Sequence, residues 1–184
     1  MKILPMILTL ALALPLAGCA HQARDVTAPD APRALEADGP VTVEWTDPEQ
    51  FTEIRHSGNR WEARRGDWVR DLAEHIRQGV QARIAEGERV GILITDIRRA
   101  GDFEPGRGPQ LDHVRVMRDI HWPRMTLEFH HHGADGRLLA EGTRELRDMS
   151  YLTSSVSQPT NTDPLRYEKA MLDRWLHEEF GPRR

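Results

Sequence analysis

Trp68, Leu72, Ile76, Val80 and Ile84 recur every four residues, with Val69 and Ala73 beside them. At about 3.6 residues per turn this spacing lines one side of a helix, and an apolar stripe of that length has to be covered by other elements. Gly66-Asp67 supplies a start and Gly87 a stop. Strand patterns flank it. Val41, Val43 and Trp45 alternate with Thr42, Glu44 and Thr46 as in a half-buried strand, which Asp47-Pro48 ends. Val90 to Ile97 is apolar at successive positions and predicts a central strand covered on each side. Asp102 to Gln110, with two prolines and two glycines, predicts a loop, and Val114, Val116 and Ile120 predict a further strand. Met125, Leu127 and Phe129 alternate with polar residues and run through three histidines to Asp135-Gly136, a hairpin signal, with Leu138 to Leu146 as the returning strand. Ser150 to Asp163 predicts a mobile loop. Asp163 caps a last helix with Pro164 at its first position, and Leu165, Met171, Leu172, Trp175, Leu176 and Phe180 form its apolar face. This order predicts one α+β domain: a largely antiparallel sheet of four to five strands with two main helices packed on one face.

The folded part, residues 41–184, is expected to follow two other segments. Lys2 and the apolar run Ile3 to Leu16 have the form of a secretory signal, too short to span a bilayer, which needs roughly 20 apolar residues. Leu16-Ala17-Gly18-Cys19 resembles the lipobox of bacterial lipoproteins, in which the cysteine receives acyl chains, such as palmitate, and becomes the first residue after cleavage. Residues 1–18 are then a signal peptide and residues 19–40 a lipidated N-terminus and flexible tether. The stretch from Ala20 to Pro40 has almost no large apolar side chain with which to fold. Ala20 is not the aspartate that retains lipoproteins at the inner membrane in enteric bacteria, so the resemblance implies the outer membrane, facing the periplasm. Cys19 is the single cysteine, so no disulfide supports the domain and packing alone must. Residues 19–184 carry 24 basic against 29 acidic side chains, a net charge of about −5, which gives no basic face for nucleic acid.

Four blocks carry a further resemblance: Val41-Thr42-Val43-Glu44-Trp45-Thr46-Asp47-Pro48-Glu49-Gln50-Phe51-Thr52, the run from Thr95 through Asp96-Ile97-Arg98-Arg99-Ala100-Gly101-Asp102-Phe103 to Glu104, Asp148-Met149-Ser150-Tyr151, and Tyr167 to Trp175. These resemble the blocks of an uncharacterised bacterial exported family, domain of unknown function 3016, over about residues 41 to 181. The resemblance implies an exported single domain and no particular reaction.

Two groups of side chains are candidates for chemistry. Strand alternation puts His131 on the face of Met125, Leu127 and Phe129, and Glu128, His130 and His132 on the other. Residues two apart on a strand lie about 6.6 Å apart, within reach of one ion. A two-residue turn at Asp135-Gly136 would set Glu141 opposite His130 and Leu139 opposite His132. His130, His132 and Glu141 are therefore the candidate ligands for zinc or copper. The ordinary reading of the same residues is a polar hairpin facing water. Asp96, Asp102 and Glu104 follow the central strand and Asp148 follows the last one; they form a possible ligand or partner surface, unless Arg98, Arg99 and Arg107 simply pair with the first three. No nucleophile elbow, paired Cys-x-x-Cys, His-Glu-x-x-His or phosphate loop is present. No catalytic residue and no cofactor are therefore expected. Two readings follow: a non-enzymatic envelope lipoprotein whose domain binds a protein partner or cell-wall polymer, or a periplasmic metal-binding protein using the histidine hairpin.

Overall fold

A computed structural model describes residues 24–106, 108, 110–153, 155–157 and 160–181. Cys19 and the signal segment lie outside these residues. A strand β1 (Val41–Trp45) leads through a 3-10 turn into two short helices, α1 (Thr52–Arg55) and α2 (Arg60–Arg64), and then the long helix α3 (Trp68–Gln81). Strand β2 (Arg89–Arg98) follows, then two-residue strands β3 (Asp102–Phe103) and β4 (Arg115–Val116), the hairpin β5 (Arg124–His132) and β6 (Leu138–Arg147), and helix α4 (Arg166–Phe180). The main sheet has the order β1-β2-β5-β6. β1 and β2 are parallel, linked by the crossover through α3, and the other pairs are antiparallel. The fold is α+β, in one domain.

The two long helices cover one face of this sheet. Trp68, Leu72, Ile76 and Val80 of α3 and Met171, Leu172, Trp175 and Leu176 of α4 are buried against Val41, Val43, Ile92, Ile94, Met125, Leu127 and Phe129. The other face is open. Val90 to Ile97 was expected to be covered on both sides. It is not: Gly91 and Leu93 lie on the side of the sheet that no helix among the described residues crosses, between β1 and β5. A register shift between Ile94 and Asp96 then turns Ile97 into the core, which is why both parities along the strand are apolar.

Four other expectations are corrected. The Val114–Ile120 strand shrinks to Arg115–Val116, paired with Asp102–Phe103 inside the segment expected to be a loop; Ile120 lies in the turn that Arg118 and His121 close and is exposed. Helix α3 stops at Gln81, before Ile84, which still packs on the core from the turn that follows. The Ser150–Asp163 segment contains the fully buried Tyr151, whose ring meets Tyr167 at 4.9 Å and whose hydroxyl donates to the Arg118 carbonyl at 2.6 Å. Finally, residues 24–40, expected to be tether, are laid on the domain. Val26 donates to the Arg64 carbonyl, Leu35 to Val43, and Arg77 and Gln81 donate to the carbonyls of Glu36 and Asp38. The segment is held by hydrogen bonds to its backbone and by Val26 and Leu35, which pack on the core, a combination that its mostly polar composition did not reveal. By running beside β1 it also covers that edge of the sheet.

Candidate functional site

The open face is ordered by cross-strand register. One row runs Thr42, Gly91, His130, Glu141; the next runs Glu44, Leu93, Glu128, Thr143. Together they line a shallow depression of about 650 Å³. Gly91 is required here because a Cβ would come within 2.2 Å of the His130 ring, which lies over it. The lining contains Glu44, Glu128 and Glu141 and no lysine or arginine.

The hairpin reaches part of the expected pairing by another route. Glu141 does stand opposite His130, but His132 is opposite Leu138 rather than Leu139. The turn is not two residues long: Gly133 donates to the Arg137 carbonyl, and Gly136, at φ +79°, closes the loop. An irregularity between His131 and His132 takes up the extra residue, so the register is restored at His130. The rings of His130 and His132 approach edge to face with centroids 5.5 Å apart. Among the described residues no three His, Asp or Glu side chains are gathered closely enough to hold an ion. His131 faces the core side as expected, 5.6 Å from the Phe180 ring, with Nε2 3.0 Å from Glu88.

Asp96, Asp102, Glu104 and Asp148 are not brought together into one surface. Asp96 accepts from the Thr52 backbone and hydroxyl at 2.5 and 2.6 Å, capping α1. Asp102 pairs with Arg98 at 2.5 Å, and Glu104 with Arg118 at 2.6 Å. Asp148 is buried, accepts from Ser150 and pairs with Arg174 at 2.9 Å. Each carboxylate satisfies a turn, a cap or an arginine.

Two buried carboxylates with perturbed ionisation lie elsewhere, inside the domain. Glu53, on the short α1, is 1% exposed and is clamped by Arg99, at 2.9 Å, and by Arg115. Burial alone would raise its pKa, but the two guanidiniums outweigh that and hold it below the usual carboxylate range. The Arg99 guanidinium in turn lies 4.4 Å over the Trp68 ring and donates to the Ala63 carbonyl. Nearby, Glu168 of α4 accepts from the Ala100 backbone at 2.6 Å, while its other oxygen finds no hydrogen-bond partner among the described residues. Burial pushes this carboxyl above the usual range. The group ties α1, α2, α4 and the turn after β2 together. Of its charged members the sequence reading weighed only Arg99 as an ion-pair partner, and for the acidic set after β2 rather than for Glu53. A charged residue in phase with Leu165, Leu172 and Trp175 along α4 was the available signal for Glu168.

No helix among the described residues is long and apolar enough to cross a membrane. In comparisons with known proteins, no curated protein and no solved structure matches. A family model described as a protein of unknown function, DUF3016, matches residues 39–178, from just before β1 almost to the end of α4. The match spans the whole sheet and the buried Glu53 cluster, and agrees with the blocks that carried the resemblance. The chain belongs to the DUF3016 family of proteins of unknown function.

Proposed function

We propose that this protein is a non-enzymatic lipoprotein of the cell envelope, anchored through Cys19 on the periplasmic side of the outer membrane, whose open sheet face binds a basic segment of another envelope protein. The observation that carries this reading is the depression between Glu44, Glu128 and Glu141, which has no cationic side chain in its lining. Like charges gathered on one sheet face repel, and a lysine- or arginine-bearing partner would relieve that repulsion while donating hydrogen bonds to the carboxylates and to the exposed Thr143 hydroxyl. Glu53 and Glu168, whose ionisation burial and ion pairing shift, are sealed in the core and lie away from this face. A photo-crosslinking side chain placed at Thr143 should capture a basic envelope protein in cells, and Glu128→Lys should abolish that capture. Equal capture from the exposed Arg70 on α3, or adducts to cell-wall polymer alone, would overturn the reading.

The pairing of His130 with Glu141 is the one observation that favours metal binding. We expect zinc to leave the melting temperature unchanged, both in the native protein and in the His130→Gln/His132→Gln variant. Zinc ligation would instead stabilise the native protein by about 2.7 kcal/mol at a hundredfold excess over the dissociation constant, and the double variant would lose that gain.

A further inference from the structure

The proposed anchor fixes where on the domain a bilayer has to lie. Arg24 is already hydrogen-bonded to the fold: its carbonyl accepts from Gly66, Asp25 bridges Arg65, and its guanidinium meets Asp67 at 3.2 Å. Only residues 20–23 separate it from Cys19. Fully extended, that interval spans at most about 18 Å, so an acylated Cys19 holds the neighbourhood of Arg65 at the headgroups. What the fold presents there suits such a surface. Trp61, one turn before Arg65 on α2, is 65% exposed, and the Arg65 guanidinium lies over its ring at 4.6 Å. Arg55 and Arg60 are exposed and make no ion pair among the described residues. Asn59 donates to the Asp112 carbonyl, which brings the exposed Leu111 to the same edge. Arg65 pairs with Glu62 at 3.0 Å, which leaves Arg55 and Arg60 as the guanidiniums without a carboxylate among the described residues. An exposed tryptophan and leucine beside two such arginines is the pattern of a surface seated at headgroup level, the ring in the interfacial zone and the guanidiniums on phosphates.

We infer that the α1–α2 edge, centred on Trp61, docks on the anionic lipid surface that carries the anchor. This rests on the lipoprotein reading and adds an orientation to it. The test uses the acylated protein in vesicles of phosphatidylethanolamine and phosphatidylglycerol, with brominated acyl chains as a quencher of tryptophan emission. Trp45, Trp68 and Trp175 are buried and Trp122 is half-buried against the cluster of Ala100, Tyr151 and Tyr167, so the emission lost to bromine should come chiefly from Trp61. The expected result is a loss of emission that disappears in Trp61→Phe and shrinks in Arg55→Glu/Arg60→Glu, while all three proteins float with the vesicles. Flotation with no quenching, or quenching that survives Trp61→Phe, overturns the docking and leaves the anchor standing. A wild-type protein without acyl mass that fails to float overturns both.

Discussion

Glu53→Ala is expected to destabilise the domain by about 3 to 5 kcal/mol, because it leaves the guanidiniums of Arg99 and Arg115 inside the fold without their shared carboxylate. For a chain of this size that lowers the melting temperature by roughly 10 °C. Glu53→Gln should recover little: an amide accepts one hydrogen bond but supplies no charge to offset two. The pH dependence fixes the sign of the effect. Because the folded carboxyl titrates below its ordinary value of 4.5, its contribution is fully present above that value and is lost as pH falls through the depressed one. The gap between wild type and Glu53→Gln should therefore be widest near pH 7 and narrow below about pH 4.5. Denaturant titrations of the three proteins at several pH values measure it. A gap under about 1 kcal/mol at pH 7 would mean that water reaches the arginines and that the cluster is not a sealed one.

The same cluster shows which parts of this fold were legible in the sequence. The helices α3 and α4 and the strands β1, β5 and β6 follow from hydrophobic periodicity, since each buries one face and the phase of the apolar residues reports it, whereas β2 was legible as a strand but not as one covered on a single side. Even the opposition of His130 and Glu141 was legible, although through a turn of the wrong length whose error a bulge offsets. Glu53 and Arg115 leave no such trace. Glu53 sits on a four-residue helix too short to show a period, and Arg115 belongs to a two-residue strand, from which its side chain reaches inward to Glu53 over the ring of Phe103. Residues 24–40 read as tether because their composition is polar, yet two apolar side chains, Val26 and Leu35, reach the core and the backbone supplies the rest of the hold, to which composition is blind. Of the arginines set against the acidic group after β2 at the outset, Arg98 does pair with Asp102, but Arg99 turns inward to Glu53, and Glu104 meets Arg118, fourteen positions away, which sequence proximity did not suggest.

Cys19→Ser is expected to move the protein from complete recovery in the detergent phase to the aqueous phase, with the signal peptide uncleaved. Acyl transfer requires a nucleophilic sulfur, and a serine hydroxyl in its place is far less reactive at neutral pH. The consequence for membrane affinity is close to all-or-none. Each buried methylene contributes about 0.8 kcal/mol, so one chain binds marginally and several bind almost irreversibly. The apolar run Ile3–Leu16 that the variant retains is shorter than the roughly 20 residues needed to span a bilayer, so it offers only a weak substitute for the lipid. Intact-mass measurement separates the two ways the variant could mislead: the wild type should begin at Cys19 and carry acyl mass, and the variant should begin at Met1 and carry none. Unchanged detergent partitioning of the serine variant, or a wild type without acyl mass, would remove the anchor and with it the membrane-bound orientation inferred for Trp61. The acidic sheet face would then be left to act on a freely diffusing domain, where the Thr143 crosslink would still report its partner.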